Sequence, residues 1–139
     1  MPILYTAHAT STGGRDGHGK TDDGKLDLNL SLPKEMGGDG KGVNPEQLFA
    51  IGYSACYLGA IKFVASQEKV TIAPDAAVSA HVGVGPREDG GGFGLEVALD
   101  VKLPGLSKAQ AEDITTKAHV VCPYSHATKG NIKVTTKIV

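Results

Sequence analysis

The sequence is poorest in the residues that would build a surface for nucleic acid. It has no tryptophan, and aromatic side chains make up only 5% of it, too few for a base-stacking face. Basic residues number 14 and acidic residues 15, for a formal charge of −1, so nothing electrostatic favours nucleic acid or an anionic membrane as partner. Cysteine occurs twice, at Cys56 and Cys122, which excludes a disulfide scaffold; their separation of 66 positions excludes a Cys-x-x-Cys motif. No uncharged run reaches the roughly 18 residues that argue for a membrane span. The opening Met1-Pro2-Ile3-Leu4 lacks the basic start and long apolar stretch of a signal peptide. A cytoplasmic address follows by default, and there two thiols are more often free, metal-bound or redox-active than permanently bridged.

Glycine, by contrast, is abundant at 19 residues, but it punctuates rather than repeats. The 139 residues suit a single domain over 1–139 with a sizeable core, and no internal repeat or low-complexity segment interrupts them. The stretch that organises the chain runs from Asn44 to Ile61. Asn44 is a good N-cap, Pro45 fits the first helical position, and Gln47 can reach back to the cap. From Leu48 to Ile61 no side chain is charged, and Lys62 closes the run. A helix that is apolar all round belongs in a core, so this one is read as a buried central helix with Cys56 in its middle.

Around it, Ile3 to Thr10 reads as a first strand, followed by a polar, glycine-rich connection from Ser11 to Gly19. Lys25 to Leu32 alternates, with Leu26, Leu28, Leu30 and Leu32 on one face, as a half-buried strand does. Pro33 stops it, and Gly37 to Gly42 is a loop. Val78, Ala80, Val82 and Val84 mark a strand ending at Pro86. After the turn Glu88 to Gly92, Leu95, Val97, Leu99, Val101 and Leu103 run back, so the two pair as a hairpin. Ser107 with Gln110 opens a second helix limited by Pro123, and Ile132 to Ile138 is a final strand. The order β-β-α-β-β-α-β predicts an α+β fold rather than a regular βαβ alternation.

Cys56 has two readings on its own residues. A buried free cysteine is commonly a small hydrophobe. To act as a nucleophile it must be a thiolate, and mid-helix it draws little from the helix dipole, so a cation would have to supply the stabilisation. Arg15 and Arg87 are the only arginines. Arg15 lies among glycines that let the backbone approach something closely, and it is either a solvated loop residue or that cation. Glu46 is either a favourable anion in the first helical turn or a carboxylate that holds an arginine fork. Ten positions before Cys56, it sits about 15 Å away along an unbroken helix and cannot touch its own Cys56 thiol. Cys122, just before Pro123 at a helix end, is expected to be the more exposed thiol. His119, Cys122 and His126 have spacings of three and four, but Pro123 interrupts the helix between them, and the set is poor for zinc. Gly40-Lys41-Gly42 lacks the spacing of a phosphate loop.

Together these motifs resemble a known family. Asn44-Pro45-Glu46-Gln47-Leu48-Phe49-Ala50 followed by Gly52-Tyr53-Ser54-Ala55-Cys56 is similar to the helix signature of the organic hydroperoxide resistance (Ohr) proteins, within the Ohr/OsmC superfamily. Val121-Cys122-Pro123-Tyr124-Ser125 resembles that family's second cysteine motif. Leu4-Tyr5-Thr6-Ala7, Gly13-Gly14-Arg15 and Val101-Lys102-Leu103-Pro104 fit too, so the likeness covers nearly the whole chain in order. It implies an OsmC-like α+β fold, with β-sheets packed around a buried central helix, in an intertwined homodimer. It also implies a thiol peroxidase that reduces organic hydroperoxides to alcohols without a cofactor. On that resemblance Cys56 is the peroxidatic nucleophile, Cys122 the resolving thiol, Arg15 the stabiliser of the thiolate and Glu46 the residue that orients Arg15. Electrons would come from lipoylated proteins or a dihydrolipoamide-type dithiol. The 15 Å separation further suggests that Arg15 and Glu46 act on Cys56 of the opposite subunit. Two other classes compete with this reading: a non-enzymatic small-molecule-binding dimer with inert thiols, and a metal-binding module using His119, Cys122 and His126.

Overall fold

The computed structural model describes residues 1–139 and divides them into two compact units, Met1–Leu48 and Phe49–Val139. In the first unit, β1 (Ala9–Thr12), β2 (Gly17–Thr21) and β3 (Asp27–Leu30) form an antiparallel sheet in that order. The first strand is shorter than its sequence suggested. Pairing begins at Ala9 opposite Thr21, and Ile3, Leu4 and Tyr5 remain exposed outside any ladder. The central strand β2, Gly-His-Gly-Lys-Thr, takes in Gly17, His18 and Gly19, which the sequence places in the polar connection. Its own strand propensity is poor, but neighbours on both sides supply its ladder and decide its conformation. In the alternating leucine segment Leu30 is buried, while Leu26 precedes β3 and stays exposed.

After Pro33 a 3-10 turn over Lys34–Met36 ends at Gly37, whose φ of 87° lies in the left-handed region that glycine tolerates. The glycine loop then brings Val43 back beside the third strand, where its N–H donates to the Asn29 carbonyl at 2.9 Å. The helix α1 (Pro45–Gln67) starts here with the anticipated capping box. The Asn44 N–H donates to Gln47 Oε1 at 3.0 Å, and the Gln47 N–H donates to Asn44 Oδ1 at 2.9 Å.

In the second unit, β4 (Ala77–Pro86) and β5 (Phe93–Lys102) form the predicted hairpin, with Val78 opposite Val101, Ala80 opposite Leu99 and Val82 opposite Val97. The strand β6 (Val134–Ile138) joins β5 in parallel, giving the order β4-β5-β6. Helix α2 (Lys108–Val121) opens on Ser107 and Gln110 as expected, and a short α3 (Pro123–Thr128) follows it. Pro123 thus limits one helix and begins another, where its missing N–H does no harm. The core joins Tyr53, Tyr57, Ile61 and Val64 of α1 to Val97, Leu99 and Val101 of β5 and Ala111, Ile114 and Ala118 of α2. By length and composition alone α1 could cross a membrane, but in this unit it is the helix on which the core is built. Its Ile51 and Phe63 are 67% and 53% exposed, leaving apolar surface beyond that core.

Helix α1 ends in a Schellman motif. The Val70 N–H donates to the Ala65 carbonyl at 2.8 Å and the Lys69 N–H to the Ser66 carbonyl at 3.2 Å. Lys69 occupies the left-handed position with φ 57°, the sole non-glycine residue with positive φ. A side chain there carries a steric cost that glycine avoids, partly offset by the greater freedom of glycine when unfolded. Lys69→Gly is therefore expected to raise the unfolding free energy by about 0.5–1 kcal/mol in urea titrations. A loss of stability would contradict this account of the helix end.

Candidate functional site

Each unit brings together two of the four residues singled out from the sequence. In the first, Arg15 sits in the turn between β1 and β2. Gly13 and Gly14 take φ of 74° and 64°, and a Cβ on Gly17 would lie 2.0 Å from the Thr12 carbonyl oxygen. Only glycines allow a turn this tight, and the turn presents Arg15. Glu46 follows Pro45 in the first turn of α1. The two meet in a bidentate pair, with Nη1 donating to Oε2 at 2.8 Å and Nη2 donating to Oε1 at 2.7 Å. The pair is a fork facing a fork, the geometry in which a guanidinium and a carboxylate bind best. The hydrogen bonds from Arg15 hold the Glu46 carboxyl below its usual range, and Glu46 pushes the Arg15 pKa up. Glu46 is the more enclosed partner, with side-chain exposure of 12% against 41% for Arg15. The carboxylate thus anchors the base of the fork while part of the guanidinium faces outward.

In the second unit the two thiols, 66 residues apart, lie 3.6 Å from each other at Sγ, and both are free. Their exposures reverse the sequence expectation: Cys122 is fully buried and Cys56 is half-buried. The reason is the corner between α2 and α3. Cys122 is the C-cap of one helix and the N-cap of the next, and its Sγ accepts the Ser125 N–H at 3.5 Å. A proline after a helix normally signals a surface exit, but here the chain turns at once into a second helix and folds the cysteine inward. Gly52, one turn before Cys56, makes room for that corner. A Cβ at Gly52 would meet the Tyr124 ring at 3.2 Å, so the missing side chain lets α3 approach the thiol-bearing face of α1. Burial pushes the Cys56 thiol pKa up, and the neighbouring Cys122 adds to this; only the Tyr124 backbone N–H opposes them.

Sequence reasoning missed the polar group behind Cys122. His119 Nδ1 is 2.8 Å from Ser125 Oγ, and its Nε2 is 2.7 Å from Thr136 Oγ1. Ser125 Oγ also lies 2.9 Å from the buried Tyr53 hydroxyl. His119 stacks on Tyr57, with ring centroids 4.4 Å apart, and burial lowers its pKa. With both ring nitrogens engaged by hydroxyls, His119 has none left for a metal, and no three histidine, cysteine or carboxylate side chains gather as a ligand set. The available signal is the three-residue step from His119 to Cys122 and on to Ser125, whereas in the sequence His119 is weighed only as a metal ligand together with Cys122 and His126.

A family model of OsmC-like proteins matches residues 38–137. The chain is 52% identical to an organic hydroperoxide resistance protein of Xanthomonas axonopodis pv. citri, over 96% of this chain and 93% of that one. It is similar to a crystal structure of an organic hydroperoxide resistance protein from Elizabethkingia anophelis, at 47% identity and a TM-score of 0.92, covering 99% of this chain and 98% of the other. The crystal structure of OhrB of Bacillus subtilis matches at 40% identity and a TM-score of 0.90, over 99% and 100% of the two chains. With its thiol pair, its arginine–glutamate fork and relatives this close over nearly its whole length, the chain belongs to the organic hydroperoxide resistance proteins of the OsmC-like family.

Proposed function

We propose that this protein is a cysteine-based, dithiol-dependent peroxidase that reduces organic hydroperoxides to alcohols. The observation that carries the reading is the 3.6 Å approach of two free thiols at the junction of α1 with the α2–α3 corner. The names of its relatives point to organic hydroperoxides as the substrate class. The Cys56 thiolate attacks the distal oxygen of R–O–O–H, the O–O bond breaks, and R–O⁻ leaves and takes up a proton as the alcohol. Cys56 is then a sulfenic acid. Cys122 attacks that sulfur, forming the disulfide and expelling hydroxide, which leaves as water. A disulfide needs about 2.05 Å between sulfurs, so closure requires only a small movement of either side chain. A dihydrolipoamide-type dithiol, free or on a lipoylated protein, returns both cysteines to thiols by exchange. A reducing cytoplasm is the compartment in which such a pair rests open.

Ionisation of Cys56 is the difficult step, because its surroundings raise the thiol pKa. We assign the missing charge to the Arg15–Glu46 fork of a second copy. Arg15 has five N–H donors and uses two on Glu46. The remaining donors can favour the thiolate and then the negative charge on the departing oxygen. A homodimer also accounts for the exposed Ile51 and Phe63 on the helix that carries Cys56. The two compact units would then serve as one domain, with the family match at 38–137 running across their boundary. Apolar surroundings suit a long alkyl or fatty-acyl peroxide, since each buried CH₂ contributes about 0.8 kcal/mol. The competing small-molecule binder would need a pocket. Two surface depressions along the β4–β5 hairpin are lined by polar and apolar side chains alike, His81, Glu96 and Lys133 beside Phe93, Leu95 and Ile132, and take in neither thiol.

Two sets of outcomes follow. With an alkyl hydroperoxide and dihydrolipoamide, Cys56→Ser is expected to consume no peroxide, whereas Cys122→Ser completes one turnover and stalls. Equal steady-state rates for Cys122→Ser and wild type would refute the resolving role. The second concerns pH. The thiolate is the charged form, so removing a cation raises the thiol pKa and lowers the thiolate fraction at pH 7. Arg15→Ala in a Cys122→Ser background should therefore move the pH profile of Cys56 alkylation to higher pH and slow it at pH 7 by roughly 10- to 100-fold. An unshifted profile would remove arginine from the mechanism.

A further inference from the structure

The hydrogen bonds behind Cys122 fix a direction for every proton they contain. Thr128 Oγ1 donates its single proton to the Ser125 carbonyl at 3.1 Å, so at its 3.3 Å contact with Tyr53 it can only accept. Tyr53 therefore donates to Thr128 and accepts from Ser125 Oγ at 2.9 Å. Ser125, its proton spent on Tyr53, accepts from His119 Nδ1–H at 2.8 Å. His119 Nε2 is left bare and accepts from Thr136 Oγ1 at 2.7 Å. No buried polar side-chain atom is left unpaired. This arrangement satisfies each of these five contacts and spends the Thr136 proton on His119 rather than on the nearby Tyr57 hydroxyl, which donates its own proton to the Thr115 carbonyl at 2.8 Å. It also requires a neutral imidazole, in keeping with the low pKa that burial gives His119. The Tyr57 ring stacked on the imidazole leaves it little room to turn.

From this chain we infer that His119 is a positioning residue for Cys122: its Nδ1–H pins Ser125, whose backbone N–H is thereby held on the Cys122 sulfur. The inference rests on the peroxidase reading above. Both steps that involve Cys122 place negative charge on its Sγ. In disulfide formation the Cys122 thiolate attacks Cys56 sulfenic acid, the new S–S bond replaces the S–O bond, and hydroxide leaves and is protonated to water. In reduction an incoming dithiol meets Cys56, the more accessible sulfur. Its thiolate bonds to Cys56 Sγ, the S–S electron pair passes to Cys122, and Cys122 is later reprotonated. The second sulfur of the dithiol then displaces Cys56 and leaves as a cyclic disulfide. The Ser125 N–H at 3.5 Å is the donor that faces the charge on Cys122 in both steps.

The test compares His119→Leu, which keeps volume without a donor, with His119→Asn, whose amide N–H₂ falls near the Nδ1 position. Stopped-flow measurements with an alkyl hydroperoxide and dihydrolipoamide separate peroxide attack, disulfide formation and reduction. We expect His119→Leu to slow the two Cys122 steps about tenfold, the worth of one hydrogen bond to a charged group, with peroxide attack on Cys56 changed by less than about twofold. His119→Asn should restore both steps to within about threefold of wild type. Independently, ¹⁵N NMR of the wild-type protein should show His119 as the neutral Nδ1–H tautomer. An Nε2–H tautomer overturns the inference whatever the variants do, so a misfolded variant does not rescue it. Unchanged Cys122 steps in His119→Leu, or an equal slowing of all three steps without recovery in His119→Asn, overturn it too. A wild type that consumes no peroxide sinks the peroxidase reading itself; a wild type that turns over beside an unaffected His119→Leu sinks only the role given to His119.

Discussion

Burial makes it costly to put charge on Cys56, and the arrangement around it can be understood from that cost. The thiol sits on a helix whose central stretch carries no charged side chain, beside a second sulfur that would resist sharing its negative charge. Desolvation of this kind keeps a cysteine protonated and inert unless a cation is supplied. The first unit holds such a cation ready-made. Its Arg15 is locked by two short bonds to Glu46 and so arrives oriented, with its entropy of ordering already spent. In the proposed dimer, activation of the thiol depends on assembly, and an isolated chain would carry a quiet one.

The second sulfur is managed by different means. Cys122 is enclosed at a junction where one helix ends and another begins, so its position follows from backbone geometry more than from side-chain packing. Gly52 clears the space into which Tyr124 and the corner settle, and Tyr53, Ser125 and His119 fix that corner from behind. Cys56 is the accessible sulfur and Cys122 the protected one. This division suits the proposed roles, in which Cys56 meets the peroxide and Cys122 meets only its neighbour.

Much of this was legible in the sequence because it is local. The two capping boxes at Asn44 and Ser107, the hairpin of alternating apolar residues and the proline that limits α2 all act within a few positions, and they appear where expected. The pairing of Arg15 with Glu46 was legible only as chemistry, since no spacing rule links residues 31 apart. Features decided by neighbours distant in sequence were not legible. β2 is a strand because β1 and β3 flank it, although Gly17 and Gly19 weaken it alone. Cys122 is buried because Pro123 starts α3 instead of leading to the surface. His119 invited a metal reading because spacing alone cannot reveal that hydroxyls from Ser125 and Thr136 occupy both of its nitrogens.

The central claim is that Cys56 and Cys122 form one redox couple, with Cys56 oxidised first. The most direct test treats the reduced protein with one equivalent of an alkyl hydroperoxide and maps its peptides by mass spectrometry without a reductant. The account predicts a single intramolecular link between Cys56 and Cys122, with one equivalent of alcohol released. Cys56 driven to the sulfinic acid while Cys122 stays a free thiol, or both cysteines unchanged with the peroxide intact, would contradict it.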